Sequence, residues 1–126
     1  MSALVVDTSS FISYFLKGNE LIDDALKEGR VYLSPIVAAE ILSGIRSKTD
    51  QDRMLDFLED LPVCGNEIDQ WFQVGILRSK LYAKGLSVSV PDAHICQCTL
   101  RLNGSLITEN KIFSKIAKIT PLKLIG

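Results

Sequence analysis

Short apolar runs that favour strands recur along this chain, and each is followed by a stretch that carries helix start and stop signals. The first run, Leu4-Val5-Val6, passes directly into Asp7 and three small hydroxyl residues, Thr8, Ser9 and Ser10, before the apolar FISYFL. A strand buried on both faces reads as an unbroken apolar run, so Leu4 to Val6 fits the centre of a parallel sheet with Asp7 leaving its carboxyl end. The three hydroxyls suit a helix N-cap, which gives a strand, a tight turn and a helix. Open α/β sheets keep their sites at the carboxyl ends of strands.

The same punctuation continues to the end of the chain. Gly18 stops the first helix, and Asn19 is placed to cap NELIDDALKE, which Gly29 ends. VYL is a second strand, and Ser34-Pro35 is a strong start for the helix IVAAEILSGI, with a capping hydroxyl and a proline at the first helical position. Thr49 with Asp52 opens the acidic helix DQDRMLDFLEDL, closed by Pro62; Val63-Cys64 reads as a third short strand. Asn66 is expected to cap the amphipathic EIDQWFQVGILRSKLYAKG, which runs to Gly85. In SVSVPDAHICQCTLRLNG a helix begins with Pro91 at or near its first position and ends at Gly104; SLIT, NKIFSKIAK and ITPLKLI then read as strand, helix and strand. Strands alternating with helices predict an α/β fold: a central parallel sheet of about four to five strands with helices on both faces. No repeat, low-complexity tract or Pro/Gly/Ser-rich linker divides the 126 residues, so a single domain over 1–126 is expected.

No apolar run approaches the roughly 20 residues of a membrane span. The N-terminus lacks a basic segment followed by a long apolar one, so the expectation is a cytoplasmic protein with no membrane partner. Cys64, Cys96 and Cys98 are an odd number without metal-ligand spacing, and on one helix Cys96 and Cys98 point to different faces. They read as reduced structural thiols. Charge is uneven: Met1 to Leu77 carries 6 Lys/Arg and 13 Asp/Glu, whereas Arg78 to Gly126 carries 8 Lys/Arg and only Asp92 and Glu109. A net charge of -1 excludes a molecule bathed in positive potential, yet the basic second part permits a local groove for a polyanion.

Most acids lie on polar helix faces with lysines or arginines nearby; Asp7, Glu40 and Asp92 do not. Glu40 sits in VAAEIL between Ala38, Ala39, Ile41 and Leu42, where a solvated acid has little reason to be. Asp92 follows Pro91 in the first turn of its helix, where the positive end of the helix stabilises an ionised carboxylate. Taken singly, Asp7 and Asp92 read better as turn or first-turn residues, and Glu40 as the one polar position on a mostly buried helix. Three carboxylates from three elements meeting at one sheet edge would repel one another unless a cation sat among them. Hard oxygen ligands select Mg²⁺ or Mn²⁺ over Zn²⁺, and such an ion keeps waters able to attack a phosphate. The chemistry this suggests is metal-assisted phosphodiester hydrolysis.

The segments LVVDTSSFISYF, LSPIVAAEILSGI, VSVPDAHICQCTL and LITENKIFSKIA resemble, in this order, the four successive motifs of PIN-domain ribonucleases. Their order and the chain's length resemble the VapC toxins of type II toxin–antitoxin pairs. The resemblance implies a three-layer PIN-like sandwich and a metal-dependent endoribonuclease, with Asp7, Glu40 and Asp92 as catalytic, metal-binding acids. It implies Thr8 or Ser9 beside the first motif and Thr108 at the end of the fourth-motif strand as polar helpers. In the family a further acid often lies two residues after that threonine; here the position is Asn110, and its neighbour Glu109 replaces the charge only if its side chain points inward. Also implied are Mg²⁺ or Mn²⁺ as cofactor, an RNA substrate cut to leave a 5′-phosphate and a 3′-hydroxyl, a homodimer, and a small DNA-binding antitoxin as partner.

His94 stands two positions after Asp92, about 200° round a helix from it, so a structural role is favoured over a general base. Trp71 and Phe72, with Ile68, Gly75 and Leu77, suit core or dimer packing better than base stacking. Lys111, Lys115 and Lys118 share one helix face: a solvated face on the plain reading, or a hold on an RNA backbone beside Asn110. A receiver domain needs an acidic pair after the first strand and a second Asp after the third, and a haloacid-dehalogenase-like phosphatase needs Asp-x-Asp; LVVDTSS and PVCGN supply neither. The rivals are a non-catalytic PIN-like module binding RNA or protein, and a housekeeping RNA-processing nuclease.

Overall fold

The computed structural model describes residues 2–126. Four strands, β1 (Leu4–Val6), β2 (Val31–Tyr32), β3 (Ser105–Ile107) and β4 (Lys123–Leu124), pair in parallel in the order β2-β1-β3-β4. The helices among the described residues are α1 (Thr8–Lys17), α2 (Glu20–Lys27), α3 (Pro35–Ser43), α4 (Lys48–Glu59), α5 (Ile68–Ala83), α6 (Val90–Arg101) and α7 (Ile112–Ala117). The architecture is the expected α/β sandwich with four strands.

β1 is central and buried throughout: Val5 lies between Tyr32 on β2 and Leu106 on β3, and Val6 pairs with Ile107. A strand flanked by two parallel neighbours and covered on both faces tolerates only apolar side chains, which is why LVV carries no alternation. The chain leaves β1 for β2 on one side, then returns across the sheet through α3 to α6 to β3 on the other side. Strand order therefore reverses at β1, and the crevice at its carboxyl end is a topological switch point. Asp7 stands there. Behind it, Phe11, Ile22, Val37, Leu81, Leu106, Phe113 and Ile116 are fully buried in one core.

Several helix starts differ from the sequence reading. The cap of α1 is Asp7 itself, whose carboxylate accepts from the Ser10 N–H, and not one of the hydroxyls that follow. α4 begins at Lys48, with Ser47 as its cap, because the Ser47 hydroxyl reaches the Asp50 N–H before Thr49 can act. α5 begins at Ile68 with Glu67 at its cap position and no side-chain cap, so Asn66 does not cap it. Val63 makes one isolated bridge to Leu33 where a strand was expected, because Gly65 turns the chain away at φ +67°. At the end of α6 the left-handed residue is Asn103, φ 52°, while Gly104 is required for space: a Cβ there would lie 2.4 Å from the Ala3 carbonyl oxygen.

Candidate functional site

Asp7 leaves the end of β1 and is 4% exposed, and a buried carboxylate needs donors. Its Oδ1 accepts from the Ser10 N–H at 3.0 Å and from the Ser9 hydroxyl at 2.9 Å, and its Oδ2 accepts from the Thr108 hydroxyl. Each hydroxyl is itself held from the far side. Ser9 Oγ accepts from the Glu109 N–H at 3.3 Å, and Thr108 Oγ1 accepts from the Asn110 N–H at 3.0 Å. The start of α1 and the loop after β3 thus grip one carboxylate between them.

Glu40 comes from the second turn of α3 and is exposed; its Oε1 accepts from the Thr8 hydroxyl at 2.7 Å. Asp92 comes from the first turn of α6, whose cap Ser89 holds the Asp92 N–H at 3.2 Å. Desolvation raises the pKa of Asp92, the Ser89 hydrogen bond opposes that shift, and the nearby carboxylates of Asp7 and Glu40 raise it further. Asp7, Thr8, Ser9, Ile12, Glu40, Asp92, Ile95 and Asn110 line one cavity of about 300 Å³. The three acids singled out in the sequence therefore share one space, and among the described residues no lysine or arginine lines it.

The donor set fits a hard divalent ion: three carboxylates, hydroxyls and an amide, with no sulfur or imidazole. Among the described residues no three acidic, His or Cys side chains are already drawn together at ligating range. Thr8 and the donors around Asp7 hold two of the three acids; Asp7 Oδ1 is filled by its two donors, while Asp7 Oδ2 and the Glu40 carboxylate keep lone pairs for a cation.

The other candidates separate. Asn110 lines the acidic cavity, but its Oδ1 accepts from the Ile112 N–H at 3.1 Å at the start of α7. Glu109 is exposed and faces a neighbouring cavity of about 290 Å³ with Thr108, Asn110, Lys111 and Ser114, so it does not replace the missing acid in the groove. Lys111 reaches that second cavity; Lys115 and Lys118 are exposed and line neither. His94 is fully buried between Ser34, Gly65 and the Trp71 ring, away from the groove, as a structural histidine should be. Sequence reasoning missed Ile12 and Ile95, the apolar walls of the groove; Ile12 follows Thr8 by one helical turn, and that spacing was the available signal.

The PIN domain family model matches residues 4–119. Among curated proteins, none matches this chain significantly. Among solved structures, the chain is similar to VapBC-1 from nontypeable Haemophilus influenzae, with a TM-score of 0.75 and 22% identity over 98% of this chain and 97% of that one. It is similar to DNA-bound VapBC from Salmonella typhimurium, TM-score 0.76 and 21% identity, covering 99% of this chain and 98% of that one. It is also similar to VapBC-5 from Mycobacterium tuberculosis, a member of the VapBC family of toxin–antitoxin systems, TM-score 0.67 and 22% identity, covering 99% and 98%. These likenesses are of fold, and together with a family match over nearly the whole chain they place the protein in the PIN domain family.

Proposed function

We propose that this single PIN domain is a Mg²⁺- or Mn²⁺-dependent endoribonuclease of the VapC type. The observation that carries the reading is the convergence of Asp7, Glu40 and Asp92, from three separate elements, on one cavity with no basic side chain among the described residues of its wall. A divalent ion bound there would supply an activated water and offset the charge of a phosphodiester. The chain's own residues do the positioning. Ser9, Ser10 and Thr108 fix both oxygens of Asp7, so that carboxylate is pre-set for a cation and needs little reorganisation. Thr8 steers Glu40 toward the groove, and Asp92, its pKa raised first of all by burial, shares the cavity with both. Lys111 in the adjoining cavity is placed to meet a phosphate that extends past Asn110.

Partners follow from the same surface. The VapBC relatives are toxin–antitoxin complexes, and here α1 presents Ile12, Phe15 and the 81% exposed Leu16 on the helix that opens the groove. That apolar ridge beside an acidic groove suits a basic, amphipathic antitoxin segment that lays an Arg or Lys among the carboxylates. On α5, Ile68, Phe72 and Ile76 form an exposed stripe at helical spacing that suits a second copy of the chain.

The test is cleavage of a mixed pool of structured RNAs by purified protein with Mg²⁺ or Mn²⁺, against EDTA and Asp7→Asn. Metal-dependent products with 5′-phosphates that vanish in Asp7→Asn support the reading. The neutral Asn110 favours a second one, a PIN module that binds RNA without cutting. RNA bound but left intact under every metal condition would establish that alternative.

A further inference from the structure

The helices that carry Glu40 and Asp92 are joined behind the groove by a buried cluster that the acidic site does not use. Ser34, the cap of α3, places its Oγ 3.0 Å from Nδ1 of His94 on α6, and His94 Nε2 lies 2.7 Å from the Gly65 carbonyl oxygen. A carbonyl only accepts, so Nε2 carries the ring proton and Nδ1 accepts from Ser34. The Trp71 ring closes the cluster with its centroid 4.3 Å from that of His94.

Two thiols complete it. Cys98, one turn after His94, has its Sγ 3.6 Å from Nδ1. Cys64 precedes Gly65, with its Sγ 3.6 Å from the Leu33 carbonyl oxygen. Gly65 makes this approach possible: a Cβ there would lie 2.5 Å from Cys98 Sγ and 2.6 Å from His94 Nε2. Both thiols are free, and both line a cavity of about 310 Å³ that reaches the surface at Val63, Glu67 and Arg101. The Cys98 thiol beside it lowers the pKa of Cys64, while that of Cys98 is raised, so Cys64 is the more readily ionised sulfur, and the thiolate is the nucleophile. Cys96, by contrast, lies outside that cavity, with its pKa pushed up to about 12 by burial.

We propose that Cys64 and Cys98 are a reversible oxidation site for small hydroperoxides, closing a disulfide between the 63–65 loop and α6. The Cys64 thiolate attacks a peroxide oxygen; the O–O bond breaks, water or an alcohol leaves, and Cys64 becomes a sulfenic acid. Cys98 sulfur then attacks Cys64 sulfur, the S–O bond breaks, and the leaving hydroxide takes the Cys98 proton to depart as water. In balance, two thiols lose two protons and two electrons, and the peroxide takes them up.

The consequence reaches the acids. An S–S bond of about 2.05 Å is shorter than any contact between two thiols, so the loop and α6 must close on each other. His94, one turn from Cys98, passes that shift to Ser34 and hence to the start of α3, changing the spacing of Asp92 and Glu40. This second step rests on the metal-site reading above.

The test treats the intact chain with hydrogen peroxide, alkylates it and maps its peptides. The expected result is a loss of two hydrogens, a peptide containing Cys64 joined to one containing Cys98, free Cys96, and three thiols restored by dithiothreitol; Cys96→Ala behaves the same. Three alkylatable thiols in a still-folded chain after peroxide, a pairing that includes Cys96, or a stable sulfenic acid without the crosslink would overturn the proposal. Mn²⁺ titration of reduced and oxidised protein is expected to show a severalfold change in Kd. A crosslink with unchanged Kd overturns the coupling alone, whereas no Mn²⁺ binding by the reduced chain overturns the metal-site reading and leaves the disulfide standing.

Discussion

Asp7 combines three duties in one side chain: it caps α1, it ties the loop after β3 to the start of α1, and it faces the groove. Thr108 shares the second duty, donating to Asp7 and accepting from the Asn110 N–H. Thr108→Val keeps the shape and removes both bonds. Outer partners of a metal ligand are typically worth 10- to 100-fold in affinity, so Mn²⁺ binding by calorimetry is expected to weaken by roughly that factor with the fold intact. Unchanged binding would mean that Asp7 needs no orienting hydroxyl. His94 makes a separate prediction. Burial, partly offset by the Gly65 carbonyl, lowers its pKa below the usual 6.5. The unfolded chain then takes up the proton first, so this contribution to stability is complete above about pH 6.5 and is lost as pH falls below it. Urea midpoints are expected to drop between about pH 6.5 and 5, and the drop is expected to shrink in His94→Gln; a wild-type curve flat across this window would contradict a buried neutral ring.

At the scale of elements, close approach decides more than propensity. Gly104 leaves room for the Ala3 carbonyl where β3 begins, and the Ser105 N–H donates to that carbonyl at 3.0 Å. Gly104→Ala must push the β1 and β3 backbones apart and is expected to cost about 2–4 kcal/mol, read from denaturant unfolding, a size reserved for strain or overpacking. A loss below about 0.5 kcal/mol would show that the sheet edge yields. The alternation of elements was legible because a two-sided buried strand such as LVV and a capped, proline-led helix such as SPIVAAEIL each have one good reading. Caps were legible at Asn19 and Ser34, where one candidate stood alone, but not at α5, which Asn66 leaves uncapped. They were not where neighbours competed, as at Asp7 against Thr8 to Ser10 and Ser47 against Thr49. Chemistry alone could nominate Asp7, Glu40 and Asp92, but whether Glu109 or Asn110 faced the groove depended on a backbone turn that no local pattern encodes.

Over the whole molecule, charge is divided so that the acids of the groove come from β1, α3 and α6 while lysines cluster on and beside α7. If that face holds RNA, replacing Lys111, Lys115 and Lys118 with alanine weakens binding and flattens its salt dependence. Each lost phosphate contact on a single strand is worth a slope of about 0.7, so three account for up to about 2 in log K against log salt. An unchanged slope in fluorescence anisotropy would assign these lysines to a solvated face. The central claim is that three elements gather carboxylates to hold a divalent cation. Its most direct test is Mn²⁺ titration by isothermal calorimetry of the wild-type chain beside Asp7→Asn and Asp92→Asn, with circular dichroism confirming that all three are folded. Saturable binding by the wild type that weakens at least about tenfold in both variants is the expected result. A folded wild type that binds no Mn²⁺, or variants that bind it equally well, would contradict the claim.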